Sequence, residues 1–188
     1  SGGVGGPLRG REIAGRTVGI VGTGAIGTKT AQLFLAFGAK VIAYSRTEKP
    51  EAKALGITYL PLADVMAQSD IVSIHTPNNA STRGLISAEM IALMKPTALL
   101  TNCARGPIVD SAALAQALNE GRLAGAGVDV FNQEPPIPDS EPLLHARNAL
   151  LTPHIAFASQ ESMIRRAKIV FQNIEAYLAG KPENVCQY

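Results

Sequence analysis

The residues of this chain that could do chemistry fall into two groups. The first is Gly22, Gly24 and Gly27, spaced G-x-G-x-x-G between an apolar run, residues 18–21, and a helical stretch, residues 25–37. In that setting the glycines serve three separate needs, namely a tight turn, close backbone approach to a pyrophosphate, and close packing of helix on strand. The start of the helix adds free N–H groups and a partial positive charge. The second group is polar residues at the ends of apolar runs: Ser45 and Arg46, His75 and Thr76, Asn102 and Arg105, Asp129, and His154, with Glu134 in the loop after Asp129. A His bonded to a carboxylate has its imidazolium favoured and can act as an acid near neutrality. A nearby Arg can grip a carboxylate in a bidentate fork and polarise a carbonyl oxygen. Together with a nicotinamide, such groups suffice for hydride transfer with proton donation. Taken singly, Arg105 reads rather as a surface ion-pair partner, Glu134 as a solvated loop charge and His154 as a capped strand-end histidine. Their ordered combination with the glycine turn points to function. His75 reads as a packed strand-end residue, His145 as a surface loop residue, and Tyr44 as core or the wall of an adenine pocket.

Positioning these residues takes strands that alternate with helices. Apolar runs predict strands at 18–21, 41–44, 57–60, 70–75, 98–102, 124–130 and 149–152. Helices are predicted at 25–37, 48–55, 62–68, 88–94, 112–119 and 160–179. Ser87, and either Asp110 or Ser111, supply caps, while Gly121, Gly180 and Pro182 are stop signals. The alternation predicts an α/β fold with a doubly wound parallel sheet and helices on both faces. In such sheets ligands bind beyond the carboxyl ends of the strands. The polar strand ends are therefore expected to converge on one edge. Residues 1–15 read as a leader or linker, and residues 16–188 as one dinucleotide-binding domain.

With 188 residues, 46% hydrophobic and only 5% aromatic, the chain suits close-packed helices on a parallel sheet. A net charge of +2 with no basic run argues against a nucleic-acid footprint. Cys103 and Cys186 make no disulfide framework, and a reducing cytoplasm is the expected compartment. No apolar run approaches membrane-spanning length, no signal peptide is visible, and no metal site is expected.

The segments VGIVGTGAIG, NCARGPIVDSAAL, VDVFNQEPP and LTPHIAFAS follow one another in the order and spacing of one family. HTPNNASTRGLI and the tail NIEAYLAGKPENV add to the match. From about Gly15 onward the chain resembles the cofactor domain of the D-isomer-specific 2-hydroxyacid dehydrogenases. The resemblance implies a Rossmann-type, three-layer α/β/α domain that binds NAD(P). It implies that Arg105 binds the carboxylate and carbonyl oxygen of a 2-oxoacid, that His154 gives and takes the proton, and that Glu134 holds His154. It places Asp129 on the nicotinamide carboxamide, Gly24, Ala25 and Ile26 at the pyrophosphate, Thr76 and Pro77 at the adenosine side, and Cys103 near the nicotinamide. Ser45, Arg46, His154 and Ala156 complete the implied cofactor set.

The chain departs from the pattern at three places. Where NAD-using members carry an acidic residue at the end of the second strand, this chain has Ser45-Arg46. No carboxylate there repels a 2′-phosphate, which favours NADP(H); the alternative leaves Arg46 in solvent and uses NAD through the Ser45 hydroxyl. Ala156-Phe157 replaces a frequent glycine pair, a change that restricts the substrate pocket. The family's N-terminal substrate domain is absent, so a fragment that binds nucleotide but turns over poorly is expected. The substrates implied are small 2-oxoacids such as glyoxylate, hydroxypyruvate or the oxidation product of 3-phosphoglycerate, with a homodimeric full-length parent. A nucleotide-sensing binding protein or corepressor on the same scaffold is the alternative function. Formate-type oxidation would pair the His with Gln, against which Glu134 stands.

Overall fold

The computed structural model describes residues 10–133 and 136–185. Glu134 and Cys186 lie outside the described residues. Two compact units are present, one ending at Pro153 and the other beginning at His154.

The first unit is a seven-stranded parallel sheet with the order β3-β2-β1-β4-β5-β6-β7. Its strands are β1 (Thr17–Val21), β2 (Lys40–Tyr44), β3 (Thr58–Tyr59), β4 (Ile71–Ile74), β5 (Leu99–Asn102), β6 (Gly125–Val128) and β7 (Ala149–Leu151). The helices between them are α1 (Ala25–Ala36), α2 (Pro50–Ala54), α3 (Leu62–Gln68), α4 (Ala88–Ala92) and α5 (Ser111–Asn119). The chain builds outward from β1 to β3, then returns to place β4 on the other side of β1. The strand order reverses there, and the doubly wound fold opens a crevice at that point.

Both faces of the sheet are covered, as β1 shows. Val18 and Ile20 pack in one apolar cluster with Ala31 of α1 and Ala52 of α2. On the opposite face, Val21 joins a larger cluster with Met66 of α3, Ile91 of α4 and Leu114 and Leu118 of α5. Between them Gly19 faces α3, and a Cβ there would lie 2.3 Å from Ser69 Oγ and 2.7 Å from Val65 Cγ1. A strand buried on both faces reads as a continuous apolar run, which is why the strands are plain in the sequence.

Strands β1 and β2 each begin one residue earlier than the apolar runs predict, and β3 to β7 are shorter than predicted. Asp70, His75, Asp129 and Thr152 flank strands instead of belonging to them. Backbone bonds still hold each to a neighbouring strand, but the regular ladder stops short of them. Two 3-10 turns, Gly106–Ile108 and Pro142–His145, carry no periodic signal and begin near prolines. His145 closes the second, with Nε2 3.0 Å from the Asp139 carbonyl oxygen. Asp110, not Ser111, caps α5 by accepting the Ala113 N–H at 3.0 Å.

The second unit contains α6 (Gln160–Leu178). Ser159 caps it and Ser162 reciprocates, in a capping box. Just before the helix, the Phe157 ring meets the His154 ring edge-on at 5.8 Å and the Arg166 guanidinium at 5.5 Å. Among the described residues no helix is long and apolar enough to cross a membrane.

At the amino end of the sheet, Asp70 joins β1 to the segment after α4. Its carboxylate accepts the Thr17 N–H at 2.9 Å and the Lys95 ammonium at 2.9 Å. Partial burial opposes the charge, but the Thr17 N–H, Lys95 and Arg16 outweigh it and hold the carboxyl below its ordinary 3.8. A depressed carboxyl stabilises the fold above its unfolded pKa, and that contribution is lost as pH falls through the folded value. Asp70→Asn is expected to lower unfolding free energy at pH 7 by about 0.5–1 kcal/mol. Urea unfolding should show the difference shrinking below pH 3.8; a gap that stays constant to acid pH contradicts the assignment.

Candidate functional site

The parallel register brings the carboxyl ends of six strands into one row. Tyr44 pairs with Val21, Val21 with Ile74, Ile74 with Asn102, Asn102 with Val128, and Val128 with Leu151. One residue further stand Ser45, Gly22, His75, Cys103, Asp129 and Thr152. Backbone bonds hold four of them in line: Gly22 N–H to the Tyr44 carbonyl and His75 N–H to the Val21 carbonyl, each 2.7 Å, and Asp129 N–H to the Asn102 carbonyl and Thr152 N–H to the Val128 carbonyl, each 3.0 Å. The expected convergence on one edge is present for six of the seven strands of the first unit, and β3 stops one residue short of it.

A cleft of about 360 Å³ opens at the reversal of strand order. Gly22, Thr23 and Gly24 form its floor, and Tyr44, Ser45, Arg46, Thr47 and Lys49 one wall. His75, Thr76, Pro77, Asn79, Ser81, Thr82 and Leu85 complete it. Arg46 and Lys49 bring positive charge to it, and no Asp or Glu is among the described residues that line it.

Each glycine of the turn meets a different demand. Gly22 has φ +98°, which L side chains rarely adopt, and a Cβ there would lie 2.9 Å from the backbone of His75 and Thr76. A Cβ on Gly27 would lie 1.9 Å from the Gly22 carbonyl oxygen, so helix and turn pack backbone to backbone. Gly24 differs: its φ of −70° suits any residue, and nothing lies within 4 Å of the Cβ position. The protein itself does not need glycine there, whereas a ligand approaching the backbone does. Gly24 also caps α1 without a side-chain bond, and no acidic residue stands in the first turn, so the helix start is left for an anion. These features fit the pyrophosphate of a dinucleotide.

His75 lines the cleft with the other polar strand ends, as well as packing. Its Nε2 lies 2.8 Å from Ser73 Oγ, which also accepts the Thr101 hydroxyl at 3.1 Å. Burial pushes the imidazole below its ordinary 6.5, so it is neutral at pH 7. Asn79 ties the facing loop: its Oδ1 accepts the Ser81 N–H at 2.9 Å, and its own N–H donates to Thr82 Oγ1 at 2.8 Å.

Further along the row, Asn102 shapes the loop that carries Cys103 and Arg105. It is 1% exposed. Its Nδ2 donates to the Arg105 carbonyl at 3.0 Å and its Oδ1 accepts the Ala104 N–H at 3.1 Å. Arg105 is exposed, with Nη1 donating to the Ala104 carbonyl at 2.6 Å. Asp129 is 2% exposed and accepts the Thr152 hydroxyl at 2.6 Å. Burial, and then the Asp129 charge, push the Cys103 thiol above its ordinary 9.0, so it is protonated and no nucleophile at neutral pH.

The first unit thus gathers Gly24, Ser45, Arg46, Thr76 and Pro77 on one cleft, with Ala25 and Ile26 opening α1 beside it and Cys103 and Asp129 along the same edge. His154 and Ala156 belong to the second unit. His154 has φ +57°, a left-handed conformation uncommon for a residue with a Cβ. Lys49 was not legible as a cleft residue, since nothing in its spacing separates it from the other surface lysines nearby. Among the described residues no cluster of three or more His, Cys, Asp or Glu could hold a metal.

Strand order, glycine turn and cationic cleft define a dinucleotide-binding α/β protein. Residues 4–156 match the model of the D-isomer specific 2-hydroxyacid dehydrogenase, NAD binding domain. The chain belongs to this family. It is 43% identical over 180 residues to a glyoxylate reductase of Korarchaeum cryptofilum, covering 95% of this chain and 54% of that protein. The D-lactate dehydrogenase of Aquifex aeolicus, solved with NAD and lactic acid, superposes with a TM-score of 0.88 at 32% identity, covering 95% of this chain and 58% of that one. An acyclic imino acid reductase solved with NADPH and D-Arg gives 0.86 at 34% identity, covering 96% of this chain and 57% of that one. The chain spans about half the length of the relatives it matches.

Two substitutions separate the roles of the glycines. Gly24→Ala is expected to leave thermal stability unchanged while weakening NADH binding by roughly 5- to 150-fold, an overpacking cost of about 1–3 kcal/mol against the ligand. Gly27→Ala is expected to lower stability itself by about 1–3 kcal/mol. Thermal melts and calorimetric titrations check both; a destabilised Gly24→Ala with unaltered affinity contradicts the assignment.

Proposed function

We propose that the chain is the cofactor half of an oxidoreductase that interconverts a small 2-oxoacid and the matching 2-hydroxyacid, and that it prefers NADP(H). The observation that carries the cofactor preference is the wall formed by Arg46 and Lys49 at the end of β2, with no Asp or Glu among the described lining residues. An NAD-selective wall would offer a carboxylate to the ribose hydroxyls, and this one offers cations suited to a 2′-phosphate. Glyoxylate, hydroxypyruvate and the oxidation product of 3-phosphoglycerate are the substrates in view, the first being the one named for the Korarchaeum relative. The complete protein is proposed to act as a homodimer.

The nicotinamide, when bound, exchanges a hydride with the carbon that carries the substrate oxygen. The residues do the rest. The glycine turn and the start of α1 hold the pyrophosphate, and Thr76 and Pro77 border the adenosine. Asp129, with Cys103 beside it, orients the carboxamide. Arg105 holds the substrate carboxylate and polarises its carbonyl. His154 delivers a proton to that oxygen in reduction and removes one from the hydroxyl in oxidation, with Glu134 supporting its imidazolium form.

Calorimetric titration with NADPH and NADH tests the cofactor preference. The unsubstituted chain should bind NADPH more tightly, and Arg46→Ala should weaken NADPH by about 10- to 100-fold, the scale of a lost charge-assisted bond, while NADH changes little. Equal affinities that ignore the substitution contradict the preference. In the complete protein, His154→Asn should lower kcat for reduction of glyoxylate by about 10²- to 10⁴-fold; an unchanged kcat contradicts the proton-transfer role.

A further inference from the structure

Tyr59 ends β3 at the edge of the sheet and does not line the cleft, yet its hydroxyl reaches two segments that do. It donates to Thr23 Oγ1 at 2.8 Å and accepts the Lys49 backbone N–H at 3.2 Å. Thr23 lies between the first two glycines of the turn and is 1% exposed. Its carbonyl in turn accepts the Thr28 hydroxyl from α1 at 3.2 Å. Lys49 closes the loop that begins at Ser45, and it is the residue from which α2 starts. One hydroxyl therefore fastens the turn that meets the pyrophosphate to the loop that carries Arg46 and Lys49.

The ring is itself held in place. Tyr59 stands opposite Ala43 in the β2–β3 register, and the Leu60 N–H donates to the Ala43 carbonyl at 2.9 Å. The Lys53 ammonium lies 6.0 Å from the ring centroid while bridging to Glu48 at 2.5 Å. A phenylalanine would keep the ring contacts and delete only the tie, leaving the Thr23 hydroxyl short of a donor.

We propose that the Tyr59 hydroxyl is a positioning group that couples the glycine turn to the 45–49 loop and so sets the preference between the two dinucleotides. The proposal rests on the reading of Arg46 and Lys49 as partners of a 2′-phosphate. NADH and NADPH differ only in that phosphate. Both anchor their pyrophosphate on the turn, but only NADPH needs the cations held at a fixed distance from that anchor. Loosening the loop from the turn therefore costs NADPH more than NADH, with no contact to either molecule removed.

Calorimetric titration of the chain with NADPH and NADH tests this. Tyr59→Phe is expected to lower the NADPH-to-NADH affinity ratio by about three- to tenfold, the scale of one lost hydrogen bond, with thermal melts confirming an intact fold. Thr23→Val should produce the same fall, the double variant no further fall, and Thr23→Ser should retain the parent ratio. A Tyr59→Phe ratio within twofold of the parent overturns the proposal, as does a double variant whose effects add in full. Arg46→Ala run alongside separates the two readings. If Arg46→Ala lowers the ratio and Tyr59→Phe does not, the tie alone fails. If Tyr59→Phe lowers it and Arg46→Ala does not, the phosphate contact fails and the tie stands.

Discussion

The parallel register of the sheet is the constraint on which the site depends. Side chains alternate between faces along a strand, so a slip of one residue would move every side chain to the opposite face of the sheet. In β4, such a slip would exchange Val72 and Ile74, both fully buried, for Ser73 and His75 in the apolar cluster. Burial of the core on both faces therefore fixes the register. The register in turn fixes where each strand stops. Ser45, Gly22, His75, Cys103, Asp129 and Thr152 stand in a row because the strands before them end level with one another. The core decides the position of the polar edge, and Val21 belongs to both.

Within that edge the glycine turn converts register into binding. Gly22 and Gly27 are required by the protein, one for a left-handed backbone and one for contact with the Gly22 carbonyl. Gly24 is not, and the space beside it is where a phosphate can meet the helix start. The charges agree with this division. Arg46 and Lys49 face the cleft, while His75 is kept neutral by burial. Asp70, the carboxylate that welds β1 to the Lys95 segment, lies at the amino end of the sheet, at the far end of β4 from the cleft.

Much of the fold was legible because buried parallel strands read as uninterrupted apolar runs, and because glycines and caps punctuate the helices. The strand ends, and with them Ser45, Arg46, Thr76, Asn102 and Asp129, were legible for the same reason. Other parts were not. Lys49 and Tyr59 gain their place only when β3 folds against β2, and no spacing in the chain joins residues 23, 49 and 59. Asn102 stood out as a strand-end polar residue, but the two hydrogen bonds by which it accepts the Ala104 N–H and donates to the Arg105 carbonyl form a local turn. His75 read as a packed strand-end residue, and only the fold shows that it lines the cleft as well. The 3-10 turn at Gly106–Ile108 has no periodicity to detect.

The central claim is that the level strand ends form one dinucleotide cradle. Amide hydrogen exchange measured with and without saturating NADPH tests it most directly. Protection is expected at residues 22–27, 45–49 and 75–76, and at Cys103 and Asp129 along the same edge, with the amino ends of the strands unchanged. Binding that protects the amino ends, or that leaves residues 22–27 unprotected, would contradict it.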